Sequence, residues 1–289
     1  MIHVGGHRRS GCTDNNQAEP YAHHKPAENT IPSIKKAIQD GATYIEVDAV
    51  QTKDDEVAIT HSNNLSLHIF GEENPGLVSD YTLKELKNLR VGPNQDGVIP
   101  SLEEVIEVCK DVILNVEIKD VKGTSDKKFK PGKPLLLELL ADKLADYQGK
   151  LILSSFSLWD IQKAAELMPD TPRGMLFEGR RGRKIYQEKE DPSRHLDFTL
   201  ETLQMVVDSV EVPYIHPCLG YTPPDVLKRC KELGLLLNAW SLFELPPEEN
   251  PKPIEKCVRV CLDSDTPLTI MTDFIPEMRQ FLARYNQNG

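Results

Sequence analysis

The chain has 289 residues, room for one large domain, and its 39% hydrophobic and 27% charged content is that of an ordinary globular protein rather than a disordered one. A net charge of −11 argues against non-specific binding to nucleic acid or anionic membranes, and it does not oppose a divalent cation. No apolar run approaches the ~20 residues that a membrane span requires.

In chain order, short β-branched runs alternate with longer amphipathic segments, the pattern of βα units and a parallel sheet. Strands are predicted at 2–5, 44–50, 57–60, 112–118, 151–154, 174–177, 209–214, 235–240 and 268–271. Helices are predicted at 30–40, 101–109, 134–147, 158–167, 200–207, 223–233, 254–262 and 276–285, several of them opening on Pro or a Ser/Thr cap. With no internal repeat and no clear linker, residues 1–289 read as one domain. The fold class is α/β, a (β/α)8 TIM barrel, which typically takes ~250 residues.

Nine strands are one too many for that barrel. Six residues separate Val50 from Val57, too few for a parallel crossover, so these two strands form a hairpin turning near Asp54-Asp55. Counting back from the turn, Thr52 faces Val57 and Asp48 faces His61. Residues 62–93 then form a small inserted subdomain, with a helix at 82–89 capped by Thr82 and Glu85.

The six cysteines are Cys12, Cys109, Cys218, Cys230, Cys257 and Cys261. They make no CxxC pair and no zinc-finger spacing. Cys257 and Cys261, one helical turn apart, read as structural, and scattered thiols suit a reducing, cytoplasmic compartment. The residues MIHVGGHRR run straight into a functional strand end, with no signal peptide in the sequence as given.

The chemistry lies at strand ends. Glu46 and Asp48 point to one side of the strand Tyr44-Ile45-Glu46-Val47-Asp48, ~6–7 Å apart along the chain. Such a pair is either a solvated edge or a site for a hard cation, Mg²⁺ or Ca²⁺. Asn115-Val116-Glu117-Ile118-Lys119 repeats the alternation, placing Asn115, Glu117 and Lys119 on one face. At the C-terminal rim of a barrel Glu117 completes a three-carboxylate site, and Lys119 adds a fixed positive charge. His7-Arg8 follows the first strand and His61 follows the hairpin. Two imidazoles beside a metal and a cationic Arg8/Lys119 pair suit phosphodiester cleavage, one taking a proton from the attacking hydroxyl and the other protonating the leaving oxygen. His3, His68, His195 and His216 read as solvated loop side chains, while His23 and His24 stay open.

Taken in order, His7-Arg8, Glu28-Asn29-Thr30, Glu46-Val47-Asp48, Thr52-Lys53-Asp54, His61, Ile99-Pro100-Ser101-Leu102 and Glu117-Ile118-Lys119 resemble the motifs of the glycerophosphodiester phosphodiesterase family. Ser154-Ser155-Phe156, Trp240 and Thr272-Asp273 resemble its later strand-end motifs, so the likeness spans about residues 2–276. The resemblance implies a TIM barrel with an insertion after the second histidine and a divalent metal on Glu46, Asp48 and Glu117. It implies His7 and His61 as the acid/base pair, Arg8 and Lys119 on the phosphate, and Glu28 orienting His7 or Arg8. The implied substrate is a glycerophosphodiester, cleaved to glycerol phosphate and an alcohol through a cyclic phosphate made by the substrate's own hydroxyl. Trp240 either stacks on the glycerol or headgroup or belongs to the core.

Three departures stand out. Arg9 replaces the family's Gly after His-Arg, and Ser62 replaces its Asp after the second His. The segment 10–27 is longer than usual, which sets His23 and His24 against His7; His7 is preferred because it follows a strand and precedes Arg. Basic loops at 120–133 (Lys122, Lys127, Lys128, Lys130, Lys133) and Arg180-Arg181-Gly182-Arg183-Lys184 follow strands and would steer an anionic substrate. Rival readings are a phospholipase D-like enzyme acting on lysolipids or sphingomyelin, and a non-catalytic phosphodiester-binding barrel.

Overall fold

The structure is a computed structural model, and it describes residues 2–6, 26–67, 69, 75–119, 134–179, 193–240, 247–249, 251–263 and 265–286. Its strands are β1 (Ile2–Gly6), β2 (Tyr44–Gln51), β3 (Val57–Ile59), β4 (Ile113–Ile118), β5 (Lys150–Ser155), β6 (Arg173–Phe177), β7 (Tyr214–Pro217), β8 (Leu236–Trp240) and β9 (Leu268–Thr272). Between them run α1 (Ile31–Gln39), α2 (Leu83–Leu86), α3 (Leu102–Val108), α4 (Leu136–Leu144), α5 (Leu158–Leu167), α6 (Leu200–Ser209), α7 (Pro224–Glu232), α8 (Pro251–Asp263) and α9 (Ile275–Asn286). The strand order β1-β9-β8-β7-β6-β5-β4-β2-β3, with β1 also paired to β2, is that of the expected (β/α)8 barrel, carrying β3 as an extra antiparallel arm. Two compact units make up the chain, one of Gly6–Leu151 and one of Met1–Gly5 with Ile152–Gly289.

In the first of these units β2 pairs in parallel with β4, in the register Glu46↔Asn115 and Asp48↔Glu117. Ile45, Val47 and Ala49, on the opposite side of β2 from the carboxylates, are fully buried, and α1 packs against this strand. Ser101 caps α3 in a reciprocal box, its backbone N–H on Glu104 Oε2 at 2.8 Å and its Oγ accepting from Glu104 N–H at 3.4 Å.

The hairpin departs from the expected register by one residue. Gln51, not Thr52, faces Val57, and the Thr60 N–H donates to the Asp48 carbonyl at 2.8 Å, where His61 was expected. The cause is the loop Lys53-Asp54-Asp55, closed by Thr52 N–H to Glu56 O at 2.9 Å, with Asp55 left-handed at φ 62°. Three-residue hairpin loops commonly end in such a left-handed residue, which consumes one more position than a two-residue turn. The hairpin also anchors the insertion. Asp54 Oδ1 accepts from the Leu83 N–H at 3.0 Å, at the start of α2, and from the Thr52 hydroxyl at 2.6 Å.

That insertion has its own small core of Leu65, Ile69, Val78, Leu86, Val91 and Ile99, closed onto Val50, Ala58 and Ala27. The helix expected over 82–89 is a single turn, α2, capped by Thr82 and Glu85 as the sequence suggested. Gly92, at φ 85°, lets Ala27 approach so closely that a Cβ at 92 would lie 2.4 Å from Ala27 Cβ. Ala27 is thereby fixed next to Glu28 and Asn29, which the site uses.

In the second unit β5 to β9 pair in succession in parallel. The strand expected at 209–214 is displaced: Ser209 closes α6, and β7 is Tyr214–Pro217. Ser209-Val210-Glu211-Val212 alternates like a strand, whereas Tyr-Ile-His-Pro, bracketed by prolines, does not advertise one. His216 is therefore not the solvated loop residue expected but is fully buried on β7. Its ring fills the space over Gly174, where a Cβ would sit 2.4 Å from Nε2. The Asn238 side-chain amide lies 3.1 Å from that nitrogen and holds the ring by a buried hydrogen bond. Cys109, Cys218, Cys230, Cys257 and Cys261 are buried thiols, in keeping with a structural part for the α8 pair; Cys12 lies outside the described residues.

Burial pushes the His216 pKa from 6.5 down to about 3. An unfolded chain keeps the ordinary value, so between those limits it takes up a proton that the folded chain refuses. Stability is therefore expected to fall as pH falls below ~6.5, by roughly 1.4 kcal/mol per pH unit from this group. Urea midpoints measured between pH 7 and pH 5 read this slope, and His216→Gln should flatten it. A variant with the parent's slope would assign the pH sensitivity to other groups.

Candidate active site

Parallel register decides which side chains meet. Glu46 and Asp48 alternate with apolar residues on β2, and their partners on β4 are Asn115 and Glu117, so all four occupy one face. Glu46, Asp48 and Glu117 are 2%, 0% and 5% exposed, and each offers an oxygen within 4.8 Å of the others'. The reading of a solvated edge strand does not survive that burial.

Three ionised carboxylates at this separation repel one another strongly out of water. Lys119 supplies part of the compensation. It follows β4 with its N–H on the Ala49 carbonyl at 3.1 Å, and its Nζ stands 2.9 Å from Asp48 Oδ1 and 2.5 Å from Glu117 Oε1. A divalent cation bound among the three carboxylates would relieve the same repulsion. Carboxylate oxygens are also the donors that hard cations prefer. The residues present fit such an ion.

Asn29 fixes Asp48 from a second side. Its Nδ2 donates to Asp48 Oδ2 at 2.8 Å, and its Oδ1 accepts from the Asp48 N–H at 3.3 Å. The residue is left-handed, at φ 52°, and buried. Asn tolerates that conformation better than most, and here it turns the amide onto the strand. Sequence reasoning quoted Asn29 only as part of a motif. The available signal was an Asn just ahead of the Thr30 cap of α1.

His61 lies two residues beyond β3, its side chain 28% exposed, with Nδ1 3.8 Å from Glu28 Oε1. Glu28 is buried with its carboxylate toward His61; His7 and Arg8, which it was expected to orient, lie outside the described residues. At 3.8 Å the pair is beyond hydrogen-bond length and attracts chiefly when the imidazole is protonated. Ser62 Oγ accepts from the Asn64 N–H at 3.0 Å and so stabilises the turn into the insertion. His7, Arg8, Arg9, His23, His24 and His68, together with the basic loops at 120–133 and 180–184, lie outside the described residues.

Within the other unit Trp240 is 5% exposed at the end of β8, its indole N–H donating to the His216 carbonyl at 3.1 Å and its ring edge-on to Phe156 at 5.7 Å. Ser155 Oγ donates to Asp160 Oδ2 at 2.8 Å, and Thr272 Oγ1 accepts from the Phe274 N–H at 3.1 Å, so these strand-end residues secure the turns into α5 and α9. His195, expected to be a solvated loop side chain, is half-buried. It places Nδ1 3.0 Å from Glu178 Oε1 and stacks on Phe156 at 5.0 Å. No spacing in the sequence pairs 178 with 195.

Comparison with known proteins agrees with this arrangement. Residues 11–244 match the model of the glycerophosphoryl diester phosphodiesterase family, a span that takes in the three carboxylates, Lys119 and His61. A glycerophosphodiester phosphodiesterase of Caldanaerobacter subterraneus is 26% identical over 258 residues, covering 84% of this chain and 90% of the relative. Human glycerophosphodiester phosphodiesterase 1 is 29% identical over a shorter stretch, 40% of this chain and 36% of that protein. Among solved structures, a putative glycerophosphodiester phosphodiesterase of Galdieria sulphuraria superposes with a TM-score of 0.73 at 20% identity, over 98% of each chain. An Oleispira antarctica phosphodiesterase in complex with the product sn-glycerol-3-phosphate gives 0.68 at 22% identity, over 98% of this chain and 96% of that one. These structural likenesses support the barrel, and the family match supports more: the chain belongs to the glycerophosphoryl diester phosphodiesterase family of phosphoric diester hydrolases.

Proposed function

We propose that the chain hydrolyses glycerophosphodiesters to glycerol phosphate and an alcohol, using one divalent cation, Mg²⁺ or Ca²⁺, on Glu46, Asp48 and Glu117. The observation that carries this reading is the buried cluster of three carboxylates on β2 and β4, each with an oxygen within 4.8 Å of the others'. When bound, the cation supplies Lewis-acid polarisation of the phosphoryl group and orients it.

Protein groups perform the remaining work. Lys119, held between Asp48 and Glu117, is a cation fixed in advance for a phosphate oxygen, and Arg8 is assigned the same task. His61 and His7 divide the proton transfers, one accepting the proton of the attacking hydroxyl and one donating to the leaving oxygen. Glu28, whose carboxylate lies 3.8 Å from His61, is assigned a supporting part in positioning the site. Asn29 keeps Asp48 aimed into the cluster. The family match begins at residue 11, after His7 and before His23 and His24, so the first imidazole needs its own test. The buried thiols accord with a reducing, cytoplasmic setting, and among the described residues no helix is long and apolar enough to cross a membrane.

Release of glycerol phosphate from glycerophosphodiesters bearing choline, ethanolamine or inositol, with either cation and with chelator, tests the reading directly. Chelator-sensitive release is expected, whereas lysolipid cleavage alone would reassign the substrate and silence with every substrate would sink the hydrolytic reading. His61→Ala should lower turnover by roughly 10²–10⁴ with the circular dichroism unchanged. His7→Ala and His23→Ala, compared side by side, identify the second imidazole by which of them loses as much. Saturating cation should raise the melting temperature of the parent. Glu46→Gln should raise it far less, and an undiminished shift would remove Glu46 from the ligand set.

A further inference from the structure

We propose that Asn115 is a fourth protein ligand of the cation, a neutral oxygen donor closing the inner side of the site. The inference rests on the metal reading above and extends it to a residue with no charge.

Asn115 lies in the middle of β4 between Leu114 and Val116, all three fully buried. Its register partner is Glu46, and Glu117 follows two residues later on the same face. The amide therefore sits one step deeper into the strand pair than Asp48 and Glu117, on the side of the cluster away from the strand ends. Neither Nδ2 nor Oδ1 has a hydrogen-bond partner among the described residues. A buried polar atom left in that state costs about 1–3 kcal/mol, and a carboxamide has two such atoms. Leucine or valine would fill this apolar stretch of strand without that cost. An amide retained there calls for a ligand, and the nearest chemistry that wants one is the acidic cluster.

Oxygen count and charge point the same way. Hard divalent cations take six or more oxygens, and carbonyl oxygens of Asn serve beside carboxylates. A fourth carboxylate would add its repulsion to that of the three already buried there. An amide oxygen adds a donor and no charge. The ends of β2 and β4 carry Lys119 and the approach to His61, so a donor at the inner end leaves that side to the substrate.

Calorimetric titration of the chelator-stripped full chain with Mg²⁺ alone and with Ca²⁺ alone tests the assignment. Asn115→Leu should weaken binding of the preferred cation by roughly 10–100-fold, the scale at which groups supporting a metal site act. Its metal-free melting temperature should be equal to or above the parent's, because the orphaned amide is gone. Asn115→Asp keeps an oxygen at the position and should bind at least as tightly as the parent. It also carries the test if the leucine variant fails to fold. Parent-like affinity in Asn115→Leu, or lost binding in a folded Asn115→Asp, would overturn the assignment of Asn115 and leave the three-carboxylate site standing. A parent chain that binds neither cation would remove both.

Discussion

Three carboxylates buried against one another are the constraint around which the residues near β2 and β4 are arranged. Glu46, Asp48 and Glu117 could each be solvated cheaply on a surface. Instead the parallel register of β2 and β4 stacks them on one face, nearly out of water. Lys119 reaches two of them and Asn29 clamps one in both directions. A fold selected for stability alone would place apolar side chains here, since hydrophobic replacement of buried ionic groups is often neutral or stabilising. Charge kept in such a place is the usual signature of function.

The same constraint explains the irregular backbone nearby. Asn29 adopts a left-handed conformation, sparsely populated for residues other than glycine, and its amide gains two hydrogen bonds to Asp48 by doing so. Its neighbour Ala27 is wedged against Gly92 of the insertion, and the insertion is tied to the hairpin through Asp54. The described residues of the inserted subdomain thus contribute no carboxylate to the cluster but brace the segment that aims one. They act on the site through backbone position.

Where local chemistry repeats with the period of the element, the sequence was legible. The alternation in Tyr44-Ile45-Glu46-Val47-Asp48 and in Asn115-Val116-Glu117 placed the acidic face before any coordinates, and the cap at Ser101 placed the start of α3. What escaped depended on partners far along the chain. Glu178 and His195 meet only because the chain returns after a long excursion. The hairpin slipped by one residue because the conformation of Asp55, not its identity, sets the loop. In β7 a true strand of four residues was masked by prolines and a histidine, while the end of α6 imitated its alternation. The family resemblance bridged several of these gaps, because ordered motifs carry long-range information that periodicity lacks.

His61 and His216 differ first in burial, and burial sets which of the two rings can exchange a proton with its surroundings. His216 is enclosed by Gly174 and Asn238, and with its pKa near 3 it holds one protonation state across the physiological range. Such a ring cannot exchange protons with a substrate, whatever its intrinsic basicity. His61 keeps a quarter of its surface exposed and has a buried carboxylate 3.8 Å away. An imidazole must reach both states to serve as acid and then base. Of these two histidines, only the one that follows the hairpin reaches solvent, and the left-handed turn at Asp55 helps to place it one residue beyond the Thr60 that pairs with Asp48.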